Sequence, residues 1–288
     1  MEFQIVSNGV RAITANLLTY LNDPVFWLAI VIGLVVGSFL NVCAIRIPQK
    51  TFLSSSRSIC PNCKTPIPMY FNIPVLSFVL LRGKARCCGS RISWVYPLVE
   101  LGTAIIFAAL FVSTPFATLQ NGVLEWKISQ LIRFSHNAVL SSVLIVCTVT
   151  DLKQMIIPDR LSIPMIVLGP IFSLWHPELS LQDSLFGVLI GGGVLYVVAW
   201  TYFLVRKQIG LGFGDVKLSA AIGGWLGWQG VFPTILVGSI AGSLVGIGCL
   251  VAKRSLNLKL ALPFGPFLAF GAIMHIICGS ALHRIFGY

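Results

Sequence analysis

The chain has 288 residues, 56% hydrophobic and 10% charged, with a mean hydropathy of +0.90. A soluble domain carries about 25% charge, so an ordinary water-soluble fold is excluded. The formal net charge of +11 would suit a nucleic-acid partner, but its distribution along the chain argues against one.

Residues 1–23 read as a short amphipathic or disordered lead-in. The first apolar stretch, Pro24 to Ile45, holds no charged residue. It starts late and lacks a small-residue cleavage site, so it is expected to be a retained span rather than a removed leader. Residues 46–94 are the one sizeable polar segment, rich in Cys, Pro, Ser and basic residues, and read as a small cytoplasmic module. A modest outer loop is expected over 115–135, and six closely spaced spans from 136 onward. In all, about eight spans are expected, near 24–45, 95–114, 136–152, 161–175, 185–205, 214–227, 230–251 and 262–282; several approach the ~20 residues that cross a bilayer and several are short. The fold class is therefore an all-α polytopic membrane protein with a cysteine-bearing cytoplasmic insertion after the first span. Gly191-Gly192-Gly193, Gly223-Gly224 and Gly242 suit close helix approach in such a bundle.

With the N-terminus outside, the inner loops are 46–94, 153–160, 206–217 and 252–261. All but Arg11, Lys127, Arg133 and Arg284 of the 20 Lys and Arg fall in them. This positive-inside bias makes the basic excess a topology signal first and an attraction for anionic lipid second. It also puts Asp151, which ends an inward-running span, and Asp215, which begins an outward-running one, at the cytoplasmic end of the bundle. An acid at a membrane helix marks a functional site by default. Two carboxylates sharing a site can hydrolyse a peptide bond, one deprotonating water and the other, protonated, donating to the carbonyl. The bland alternatives are an interfacial pairing of Asp151 with Lys153 or Arg160, and a helix-capping role for Asp215. Asp159, after Pro158, reads most simply as an N-cap.

Further residues carry a resemblance. Asp151, Ile157-Pro158-Asp159 and Gly212-Phe213-Gly214-Asp215-Val216-Lys217-Leu218 resemble the bacterial prepilin peptidases, intramembrane aspartyl enzymes of the GxGD type. Gly37-Ser38-Phe39-Leu40-Asn41-Val42, Arg46-Ile47-Pro48, Asn72-Ile73-Pro74-Val75-Leu76-Ser77, Leu81-Arg82-Gly83-Lys84, Tyr96-Pro97-Leu98-Val99-Glu100 and Pro263-Phe264-Gly265-Pro266-Phe267-Leu268 follow the same family in order. The resemblance implies Asp151 and Asp215 as the catalytic pair. It implies prepilin and pseudopilin substrates of pilus and type II secretion systems, cleaved after a glycine, in the bacterial inner membrane. It further implies N-methylation of the new terminus with S-adenosylmethionine. A methyltransferase-like region over 24–135 and a six-helix peptidase domain over 136–288 follow from it. No dinucleotide-type glycine fingerprint is visible for a methyl-donor site.

Cys60-Pro61-Asn62-Cys63 has zinc-knuckle spacing, and a cytoplasmic position disfavours a disulfide. The family's second half is another C-x-x-C. Here Ala85 stands at the expected third ligand position, Cys88 aligns as the fourth, and Cys87 is the candidate replacement. Cys60, Cys63, Cys87 and Cys88 are thus the expected zinc ligands, with free thiols as the alternative. Cys43, Cys147, Cys249 and Cys278 read as small apolar filler in spans. Glu100 has two readings: anchoring the loop through Arg82 or Arg91, or holding the amine of the methyl donor or of the new terminus. A proton-coupled transporter using the two aspartates and a non-catalytic membrane scaffold are the competing function classes.

Overall fold

The computed structural model describes residues 20–49, 51, 59–60, 62–120, 123–208, 210–253 and 262–286. The expected lead-in up to residue 19 lies outside them. In chain order the elements are α1 (Pro24–Arg46), a one-turn 3-10 helix (Met69–Phe71), α2 (Leu76–Leu80), α3 (Val95–Ser113), β1 (Ala117–Gln120), β2 (Val123–Trp126), α4 (Ile128–Gln154), α5 (Asp159–Ser173), α6 (Leu181–Arg206), α7 (Phe213–Leu226), α8 (Trp228–Lys253) and α9 (Gly265–Phe286).

Apart from the 3-10 helix and α2, each helix overlaps an expected span, with α4 beginning at Ile128 inside the loop expected over 115–135. Among the described residues, five are long and apolar enough to cross a bilayer: α1, α3, α4, α6 and α8. The 15 residues of α5 and 14 of α7 reach only about 22 Å, short of a hydrocarbon core of about 30 Å. The described apolar part of α9, Gly265–Gly279, is also shorter than a full span.

The outer segment departs from the all-α expectation. β1 and β2 form an antiparallel hairpin, with Ala117 opposite Trp126 and Gln120 opposite Val123. Asn121-Gly122, between them in sequence, is the strongest short-range hairpin signal, and it outweighs the helical surroundings.

The chain divides into two compact units, residues 1–42 with 55–138, and residues 43–54 with 139–288. In the first, α1 and α3 meet closely. A Cβ on Gly37 would lie 2.7 Å from Glu100 Cα, and Asn41 Nδ2 donates to Tyr96 O at 3.1 Å. The first-span motif is therefore a helix-packing motif. Phe107, Phe111, Phe116 and Phe134 fill the apolar interior edge-to-face or tilted.

The second unit is built around α7. Every residue from Leu218 to Trp225 is buried, and α5, α6, α8 and α9 all touch this helix. Trp225 Nε1 donates to Met165 O of α5 at 2.8 Å, and Ser184 Oγ of α6 donates to Gly224 O at 2.5 Å. Gly187 of α6 and Gly223 of α7 touch backbone to backbone, which no side chain at either position would permit. Gly227 ends α7 at φ 75, ψ 171, a conformation open essentially to glycine alone.

Candidate active site

Asp151 lies in the last turn of α4, and Asp215 is the third residue of α7. Both are buried, at 5% and 8% exposure, in a unit where buried charge is rare. The two carboxylates are within electrostatic range of each other. Asp151 Oδ2 accepts the backbone N–H of Gly265 at 3.0 Å, which is the first residue of α9. A helix start is a natural seat for negative charge. Asp215 turns back towards the backbone of Gly212, the N-cap of α7. The pairing of Asp151 with Lys153 or Arg160 considered from sequence gives way to this long-range contact.

One side chain touches both acid-bearing neighbourhoods. A Cβ on Gly265 would lie 2.7 Å from Asp151 Oδ2 and 3.1 Å from Ile157 Cδ1. A Cβ on Gly214 would lie 3.1 Å from Ile157 Cβ. Ile157, itself buried, thus wedges between the two glycines that flank the acids. Two residues on, Asp159 corrects its expected role. The N-cap of α5 is Pro158, in extended conformation with no side-chain cap. Asp159 is already helical, and its Oδ1 takes Lys217 Nζ at 2.7 Å. Ile157-Pro158-Asp159 is thus a strap across the start of α7.

In the first unit the cysteines form two matching turns. Cys60 N donates to Thr65 O and Lys64 N to Cys60 O, both at 2.9 Å. Ala85 N donates to Ser90 O at 2.8 Å and Gly89 N to Ala85 O at 2.7 Å. Lys64 and Gly89 share a positive φ, 59 and 68. The hydrogen-bond register makes Ala85 the counterpart of Cys60 and Cys88 that of Cys63, with Cys87 in the place of Asn62. The four Sγ atoms nevertheless lie within 4.8 Å of one another. Tetrahedral zinc at about 2.3 Å from each sulfur requires S···S edges of about 3.8 Å. Cys60–Cys88 measures 3.8 Å, Cys87–Cys88 3.9 Å and Cys63–Cys87 3.2 Å. The donor set therefore fits zinc, with Cys63 and Cys87 parting slightly to admit it. Hydrogen bonds from the side chain and backbone of Ser90 pull the Cys88 thiol down to about 6, and those of Thr65 lower Cys63. Its contact with Cys63 pushes Cys87 up to about 12.

Two family descriptions match the chain: the bacterial peptidase A24 N-terminal domain over residues 31–114, and the type IV leader peptidase family over 138–247. A prepilin leader peptidase/N-methyltransferase of Aeromonas hydrophila is 34% identical, covering 90% of this chain and 92% of its own length. Similarly named proteins of Burkholderia pseudomallei and Pseudomonas putida are each 32% identical, covering 90% and 91% of this chain and 87% and 94% of their own. The chain belongs to the type IV leader peptidase family. No solved structure matches it.

Within this leader peptidase, Glu100 is buried, and its Oε2 accepts Val75 N–H at 2.7 Å. It anchors the loop through the backbone, rather than through Arg82 or Arg91 as weighed from sequence. Ser38 of the first-span motif also bonds to it. Gly265 and Ile157, which stand in motifs quoted above, are the site residues to which sequence reasoning gave no role. The available signal was Gly265 standing directly before Pro266, since proline belongs in the first turn of a helix.

Proposed function

We propose that this chain is a membrane aspartyl endopeptidase that removes the leader from type IV prepilins or pseudopilins after a glycine, with N-methylation of the new terminus. The observation that carries the reading is the burial of Asp151 and Asp215 in one unit within electrostatic range, each beside a glycine that leaves room for its carboxylate. Asp151 is assigned as the base, because the Gly265 N–H at a helix start supports negative charge on Oδ2. It would take a proton from water as the oxygen attacks the scissile carbonyl. Asp215 would hold the second proton and deliver it to the carbonyl oxygen, so the pair titrates as one system. Residues 136–288 would form the peptidase domain and 24–135 the methyltransferase-like region.

Zinc bound by Cys60, Cys63, Cys87 and Cys88 would supply structural cross-linking to a module with little core of its own. S-adenosylmethionine would supply the methyl group, and Glu100 is proposed to meet an amine of donor or substrate. In this reading about eight helices traverse the bacterial inner membrane, the short α7 doing so inside its ring of neighbours rather than against lipid, with the N-terminus outside and the aspartates at the cytoplasmic face. Tags at Lys64 and Glu178 should then report opposite sides. The decisive experiment incubates full-length protein with a prepilin, with and without S-adenosylmethionine, and weighs the products. Cleavage should vanish in both Asp151→Asn and Asp215→Asn. Near-normal cleavage by either variant removes the aspartyl pair.

A further inference from the structure

The cysteine module carries an apolar surface that zinc binding and peptidolysis do not use. Leu76, Val79 and Leu80 of α2 are 49%, 62% and 72% exposed. Tyr70 and Ile73 before them, and Trp94 and Leu98 after, are exposed as well. By helical spacing Leu76, Val79 and Leu80 share one face of α2, and Phe78 points to the other. The Phe78 ring packs on Trp94 with centroids 4.7 Å apart, which holds α2 against the entry of α3. Because α3 is a candidate membrane span, its first turn lies at the bilayer boundary, and α2 lies one aromatic ring away from it.

The segment that follows α2 is basic. Arg82 stands two residues past the helix, Lys84 and Arg91 stand opposite each other in a bridge, and the Arg86 guanidinium sits 4.7 Å above the Phe71 ring. All four are exposed. No Asp or Glu occurs anywhere between Asp23 and Glu100, so within the module only the cysteine thiolates offset these charges. An apolar face followed by a cationic segment, beside a membrane helix, has the chemistry to meet an anionic lipid surface.

The backbone also aims the helix. Val75 sits at φ 59, ψ −47, closing a tight turn in which Leu76 N–H donates to Pro74 O at 2.5 Å. A β-branched residue rarely adopts positive φ, and such strain persists only where the surroundings enforce it. Here the enforcing contact is the buried Glu100 carboxylate on Val75 N–H. The turn and the Phe78–Trp94 contact together tie both ends of this loop to the start of α3.

We propose that the Leu76, Val79 and Leu80 face of α2 is a membrane-docking wedge that inserts at the headgroup–acyl boundary of an anionic bilayer, with the neighbouring Arg82, Lys84, Arg86 and Arg91 drawn to the headgroups. The module is then seated on the membrane surface rather than suspended above it. The test places p-benzoylphenylalanine at position 80 or, as a control elsewhere in the module, at position 64. Full-length protein is reconstituted in phosphatidylglycerol/phosphatidylethanolamine vesicles or in phosphatidylcholine vesicles, irradiated, and its adducts identified by mass. Parental limited-proteolysis patterns across residues 59–100 certify each variant's module as folded. Position 80 should yield phospholipid adducts well above position 64. Anionic lipid should be favoured by about fivefold, a preference that R82E/K84E removes. Adducts from position 80 to this chain's own peptides or to added prepilin would assign the face to protein and overturn the proposal. So would a lipid yield at position 80 no higher than at position 64.

Discussion

Gly265→Ala tests the geometry around Asp151 with a single methyl group. The added Cβ would stand 2.7 Å from Asp151 Oδ2, where ordinary contact begins at 3.4 Å, and 3.1 Å from Ile157 Cδ1. The backbone N–H that donates to Asp151 remains, so the charge environment is kept while the carboxylate must retreat by about 0.7 Å. Misplacement on the order of 1 Å can cost about 100-fold in rate, so a fall in kcat of roughly 10- to 100-fold is expected. The methyl group also offers a helix-propensity gain of up to about 1 kcal/mol, so folding should survive. Gly279→Ala, on the same helix, is the internal control, because a Cβ there meets nothing within 4 Å. The assay is single-turnover cleavage of a prepilin by full-length protein in detergent, with thermal unfolding measured alongside. If Gly265→Ala cleaves at more than half the parental rate, or Gly279→Ala is equally impaired, crowding at Asp151 does not limit the reaction.

Asp159→Ala and Lys217→Ala should each slow cleavage by no more than about fivefold, because a pair exposed 24% and 57% contributes at most about 1 kcal/mol. Exchanging the two charges, Asp159→Lys with Lys217→Asp, should restore the rate, and simple additivity in that cycle would refute the strap. Purified protein should hold about one zinc per chain, and Cys87→Ser should release it as readily as Cys60→Ser. Full metal retention in Cys87→Ser would show that Cys87 has not replaced the ligand absent at Ala85. After zinc removal, iodoacetamide at pH 7 should modify Cys88 ahead of Cys87, both being exposed. A thiol at about 6 is then mostly thiolate, the reactive form, and one at about 12 is protonated. Equal labelling, read by peptide mass, would contradict that order.

Hydropathy and charge placement alone specified a membrane chain, and local spacing alone pointed to the cysteine knuckle and the two acids. These are properties of single residues and near neighbours, which a sequence displays directly. The role of α7 was not legible that way. Burial inside protein and burial in lipid demand the same apolar residues, so the central helix of the second unit reads like one more span. The hairpin at 117–126 falls where sequence reasoning expects only a loop, although Asn121-Gly122 is a local hairpin signal. Cys87 could be named as a ligand, but its equivalence to Asn62 rather than Cys60 emerged from the backbone hydrogen bonds of two separate turns. The contact that seats Asp151 joins it to Gly265, 114 residues away. No local preference encodes such a pairing. It exists because the packing of α5, α6, α8 and α9 around α7 brings the start of one helix to the end of another, and only the folded unit contains that proximity.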